Sequence, residues 1–176
     1  MNKDLINPKF FVLTMMILAA ALTRLIPHYP NFTAVGAMAL FGGAYFSKKY
    51  LAFIVPLAAM FLSDMIIGFY SGMWVVYLSF ALIVVIGMQI GEQKKPGRVL
   101  LASAASSVSF FLITNFALLP GNSMYPQNIT GIIESYVAAI PFFQYTLLGD
   151  LFYVGIMFGI FEIARVKFPV LEKAKI

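Results

Sequence analysis

The sequence has no cysteine, one histidine (His28), one tryptophan (Trp74) and little charge. Without cysteine there is no disulfide framework, no thiolate metal site and no cysteine nucleophile. One histidine and no cysteine argue against a protein-only zinc site, and no metal or cofactor is assigned. The HExxH and Walker A patterns are both missing, which excludes zincin chemistry and ATP hydrolysis by the P-loop route. Ser63-Asp64 and the serines at 103, 106, 107 and 109 have no His or Lys beside them in the pattern. No catalytic residue is therefore assigned, and the chain is read as not an enzyme. Charged residues are 11% of the 176, against 61% hydrophobic, at a mean hydropathy of +0.91. A soluble domain of this length carries far more charge.

Long apolar runs are what the chain has instead. Several exceed 18 residues, the length needed to cross a bilayer as helix. None alternates with the short period of a membrane β-barrel. The expected fold is a single all-α integral membrane domain over residues 1–176. Six transmembrane helices are expected at about 10–26, 31–47, 50–70, 73–91, 99–119 and 146–166. A cleaved signal peptide is the rival for the first segment, because Ala19, Ala20 and Ala21 suit a peptidase; the run is long for a signal and passes straight into Arg24. Pro56 predicts a kink in the third helix. Residues 132–145, broken by Glu134 and Pro141, read as a re-entrant or interfacial segment before the sixth.

The net charge of +5 could point to nucleic acid, but its distribution gives topology instead, and no nucleic-acid partner is expected. Lys3 and Lys9 precede the first helix. Lys48 and Lys49 separate the second from the third, and Lys94, Lys95 and Arg98 the fourth from the fifth. Arg165, Lys167, Lys173 and Lys175 close the chain. All fall on one side of a six-span protein with both termini in the cytoplasm. Arg24 is the exception among 12 basic residues. Removing the first segment would leave five spans in the same orientation, so charge alone does not decide between them. The expected location is the bacterial inner membrane, multi-pass, with the lipid bilayer as partner.

Depth along each helix then places four polar residues in one outer layer. Arg24 lies near the outer end of the first helix, and Asp64 about 20 Å above the inner start of the third. Asn115 is near the outer end of the fifth. Asp150 falls in the first turn of the sixth, where a helix N-terminus favours negative charge. Ionisable groups inside spans usually face the bundle and pair, so one arginine and two aspartates predict a charge network. His28 and Asn31, in the turn Pro27-His28-Tyr29-Pro30-Asn31, could gather around it with Tyr70, Trp74, Tyr125 and Tyr153. Apolar and aromatic walls with a few polar groups suit a small-molecule pocket. The same arginine and aspartates would equally serve to join helix ends, His28 between prolines can be an ordinary loop residue, and aromatics at this level also form interfacial belts. Small-residue spacings at Gly155/Gly159, Gly87/Gly91 and Ala39/Gly43/Ser47 allow close helix approach.

Four stretches carry a resemblance: LIPHYPNFTAVGAMALFGGAYF, PLAAMFLSDMIIGF, FFLITNF and YVAAIPFFQYTLLGDLFY. They resemble a family of small bacterial membrane proteins of uncharacterised function, over about residues 22–162. That family is in turn similar to the S-components of energy-coupling-factor vitamin transporters, with the solitary BtuM-type cobalamin transporters as nearest relatives. The resemblance implies an S-component-like bundle, an outward-facing pocket for a vitamin-like substrate, and a partnership with a membrane T-component and its ATPases. Small residues on the first helix, here Ala19, Ala20 and Ala21, would contact the T-component, though no AxxxA pair is present. The cobalt-ligating cysteine of the BtuM-type proteins has no counterpart, so that chemistry does not carry over. The expected function is substrate binding for transport. The alternatives are a structural or assembly subunit of a membrane complex, and a membrane enzyme using Asp64 or Asp150.

Overall fold

A computed structural model describes residues 7–92, 94–119 and 124–173, the side chains of 172 and 173 excepted. Residues 1–6, with Lys3 among them, residue 93, residues 120–123 and residues 174–176, with Lys175 among them, lie outside the described residues. The described chain is all helical. Its elements are α1 (Pro8–Leu22) with a 3-10 turn (Thr23–Leu25), α2 (Val35–Tyr45), α3 (Lys49–Ile67), α4 (Met73–Met88), α5 (Pro96–Thr114), α6 (Ile129–Lys167) and a short α7 (Val170–Lys173). Four are long and apolar enough to cross a membrane: α1 with its 3-10 turn, α3, α5 and α6. The other two main helices, α2 and α4, are shorter and apolar.

The bundle is built around α2. Residues 34–43 are all buried, and Tyr45 and Phe46 with them. α2 packs against α1, α3, α4, α5 and α6. A helix apolar on every side has no face for water and belongs in an interior. Glycines set the spacing here. Gly43 and Gly87 lie back to back, so that a Cβ on either would meet the main chain of the opposite helix, Val84 or Leu40. The Gly87 and Ala39/Gly43 spacings are thus used inside the molecule. By contrast, Gly155 and Gly159 have open space beside them.

Local chemistry sets the helix ends. Asn7 caps α1 by accepting from the Lys9 amide at 3.0 Å, with Pro8 in the first turn, where its missing N–H has no intrahelical use. α2 begins at Val35 rather than 31, because Asn31 adopts a left-handed φ of 65° and Phe32 N–H closes a turn on Tyr29 at 3.0 Å. α3 ends at Gly68, whose φ is 105°. α4 stops at Met88, short of Gly91 with its φ of 81°. α5 opens on Pro96, three residues before the expected start, and closes at Thr114.

The largest departure from expectation is α6. No re-entrant or interfacial break separates 132–145 from the last span: one helix of 39 residues runs from Ile129 to Lys167 through Pro141. Pro141 forfeits one main-chain bond, which predicts a break. Packing on α5 opposes it. Tyr136 donates its hydroxyl to the Leu112 carbonyl at 2.7 Å, and Phe143 meets Phe111 at 4.8 Å between ring centroids. The start is also capped, since the Asn128 side chain accepts from the Gly131 amide at 3.0 Å. At 1.5 Å per residue the helix is about 58 Å long, roughly twice a hydrocarbon core.

Candidate functional site

Arg24 projects from the 3-10 turn that closes α1. Its Nη2 meets Asp64 Oδ1 at 2.7 Å, with side chains 11% and 0% exposed. Nη1 donates to the Ser63 hydroxyl and, at 3.5 Å, to the Met60 carbonyl. On the far side of the carboxylate, the Tyr77 hydroxyl donates to Asp64 Oδ2 at 2.8 Å. One network therefore ties the end of α1 to α3 and α4. Both charges are desolvated, and removing either leaves the other uncompensated.

Asp150 stands apart from this pair. Among the described residues the ion pairs are Arg24–Asp64 and Arg165–Glu162, so the expected network of one arginine with two aspartates is one pair and one separate carboxyl group. Nor does Asp150 occupy a first helical turn, because α6 starts at Ile129; the helix N-terminus does not act on it. It is 4% exposed. Its Oδ2 accepts from the Ser107 hydroxyl of α5 at 2.6 Å. The same hydroxyl lies 3.1 Å from the Ser103 carbonyl, but it has one proton, and the shorter contact to the carboxyl group takes it. On its other side Asp150 lies against Gly36 of α2.

A cavity of about 760 Å³ is lined by both Arg24 and Asp150. Its walls come from the start of α2 (Val35, Gly36), the start of α4 (Val75, Val76), the end of α5 (Phe110, Phe111, Thr114, Asn115) and the first half of α6 (Ser135, Ala139, Phe142, Phe143, Thr146). Asn31, Tyr70 and Tyr125 complete it from the loops. Burial, and then the Asp64 carboxylate, push the Tyr70 hydroxyl above its ordinary range, which keeps it a donor. The continuous α6 matters here, since residues expected to lie along the interface form a wall of the cavity.

Of the residues the sequence singled out, Arg24, Asn31, Tyr70, Asn115, Tyr125 and Asp150 line this space, and Asp64 stands behind Arg24. Three do not reach it. His28 is exposed, its Nδ1 2.6 Å from the carbonyl of Ile26. Trp74 is 49% exposed. Tyr153 packs on Phe32 and Phe152 at 5.9 and 5.3 Å. Sequence reasoning passed over Tyr77, Ser107 and Gly36 as partners of the two aspartates. Ser103, Ser106 and Ser107 carried a signal: they share the buried face of α5 with Val99. Among the described residues no three His, Asp or Glu side chains gather as a metal site.

Residues 4–171 match a family described as being of unknown function (DUF6580). The chain belongs to this family. No curated protein and no solved structure matches it. DUF6580 is an uncharacterised family, as expected, and its description carries no functional statement, so the likeness to S-components rests on the quoted stretches alone. As to docking by small residues of α1, Ala20 and Ala21 are buried within the bundle of this DUF6580 member and Ala19 alone is exposed.

Proposed function

We propose that this DUF6580 protein is a membrane substrate-binding component that takes a vitamin-like small molecule for transport. One observation carries the reading: a cavity of about 760 Å³ is walled by α2, α4, α5 and α6 and by three loops, with a guanidinium, a buried carboxyl group and two asparagines around aromatic rings. Cavities of roughly 300–1,000 Å³ with few polar groups hold drug-sized ligands. That size favours a vitamin of one or two rings over the much larger cobalamin. Arg24 is held by Asp64 and so keeps a fixed orientation, with N–H groups left over for a carboxylate or carbonyl oxygen of the ligand. Asp150, fixed by Ser107, faces a donor. Asn31 and Asn115 add neutral hydrogen bonds, and Phe110, Phe111, Phe142 and Phe143 cover the ring.

In this reading the basic end of the bundle is cytoplasmic and the Arg24 end faces outward across a bacterial inner membrane, following the positive-inside rule, with both termini inside. A T-component with its ATPases is the natural energy source under the S-component likeness. The test is a binding panel of water-soluble vitamins, measured calorimetrically on purified protein, with Asp150→Asn and Asn115→Leu beside the native sequence. The reading expects one vitamin to bind and both variants to weaken it at least tenfold. Failure of every vitamin to bind folded protein would overturn it.

A second reading has its own support. The Arg24–Asp64–Tyr77 network joins α1, α3 and α4 through protein groups alone, which suits a role in holding an assembly subunit together. It expects copurification with a larger complex and an unliganded cavity.

A further inference from the structure

At the opposite end of the bundle, three cations from distant parts of the chain converge on one carboxylate. Lys9 comes from the first turn of α1, Lys94 from the α4–α5 linker and Arg165 from the end of α6. Arg165 Nη2 lies 2.7 Å from Glu162 Oε2, and Oε1 accepts from the Tyr45 hydroxyl at 2.6 Å. Both carboxylate oxygens are thereby engaged. Lys94 Nζ lies 4.9 Å from the centroid of the Tyr45 ring and donates to the Gly91 carbonyl at 3.0 Å. Lys9 and Lys94 stand within electrostatic reach of Glu162 and Arg165, and Lys94 of Lys9 and the exposed Glu92 as well. Three positive charges thus surround one partly exposed carboxylate, with Glu92 only at the rim.

We propose that Lys9, Lys94 and Arg165 bind the phosphate of an anionic glycerophospholipid headgroup at this end of the bundle. Both lysines are half-buried, so water compensates their charge incompletely, and among the described residues the three cations share only Glu162 and Glu92, which leaves net positive charge for an anion. Burial is also the first cause pulling the Lys94 ammonium below its ordinary range, with repulsion from Lys9 and Arg165 adding to it against Glu162 and Glu92. A lipid is favoured over a soluble anion by what lies alongside. Glu162, Ile163, Val166 and Lys167 line an open groove in which Ile163 is 70% and Val166 81% exposed. An acyl chain can lie there while its headgroup meets the cations. Basic pockets between helices on the cytoplasmic side take anionic headgroups in this way. The proposal uses the membrane placement of the bundle and is independent of what fills the cavity at the other end.

The test is native mass spectrometry of the full chain in detergent, titrated with dioleoyl phosphatidylglycerol, dioleoyl phosphatidylcholine or inorganic phosphate. Phosphatidylglycerol should be retained and phosphatidylcholine lost. Each lysine near an anionic headgroup contributes about fivefold, so the Lys9→Gln/Lys94→Gln double variant should bind phosphatidylglycerol about thirtyfold more weakly. Arg98→Gln, exposed in the first turn of α5, should bind it normally. If the double variant does not fold, Lys94→Gln alone, with its fivefold loss, decides. Equal retention of the two lipids, undiminished binding by the lysine variants, or displacement of phosphatidylglycerol by equimolar inorganic phosphate would each overturn the proposal.

Discussion

Gly36 and Asp150 are in contact: the carboxyl group of Asp150 fills the space that a side chain at position 36 would need. The start of α2 therefore sets where the only buried carboxyl group of α6 can sit. Gly36→Ala should gain about 1 kcal/mol of helix propensity and lose about 1–3 kcal/mol to overpacking, for a net loss of stability. Asp150→Ala introduced into the Gly36→Ala background should recover much of it. Thermal unfolding in detergent of both single variants and the double gives the comparison; equal costs for Gly36→Ala with and without Asp150 would show that the contact does not matter.

Breaking the ion pair should cost more. Asp64→Asn leaves Arg24 as a buried cation without its counter-charge, and about 3–5 kcal/mol of stability should go. Tyr77→Phe removes one hydrogen bond to a charged acceptor, worth about 1.5–3 kcal/mol. The two share Asp64, so their costs in combination should fall well short of the sum. Additive costs in a double-mutant cycle would mean that Tyr77 does not act through the carboxylate.

Two pairs of glycines should respond oppositely. Gly43→Leu or Gly87→Leu drives a side chain into the facing main chain, where nothing flexible can yield, and should prevent folding. Gly155→Leu and Gly159→Leu enter open space and should leave the amount of folded protein unchanged. Size-exclusion profiles of the four variants are enough to check this.

Filling the cavity separates ligand binding from architecture. Ala139 lines the cavity from the first half of α6 and is partly exposed, so tryptophan there should occupy the space with little cost in stability. Whatever vitamin the native protein binds should lose at least tenfold in affinity to Ala139→Trp, at an unchanged unfolding temperature. Normal binding by this variant would place the ligand elsewhere.

Hydropathy made α1, α3 and α5 legible to within a few residues, because each is a long apolar run bounded by charge, glycine or proline. It misread α6, because Pro141 and Glu134 signal a break locally and the opposing force is contact with α5, which no window of sequence contains. The site was legible in level but not in direction. Counting residues from a helix start gives depth, and on that ground Arg24, Asp64, Asn115 and Asp150 were grouped. Which way a side chain turns around the helix axis depends on packing. His28, Trp74 and Tyr153 accordingly do not line the cavity, and Asp150 reaches Ser107 rather than Arg24.

The burial of α2 bears on how the protein is made. Eleven residues give a helix of about 16 Å, too short to hold itself across a bilayer, and its neighbours α3 to α6 are synthesised after it. While the chain is still emerging, α2 has no lasting position of its own. It can be settled only when later helices close around it, so the newborn chain passes through a stage in which the helix that ends up most fully buried is unsheltered. Truncation after α3 should leave a product that the cell's membrane quality control removes, and the finished bundle should become resistant to proteolysis in a single late step.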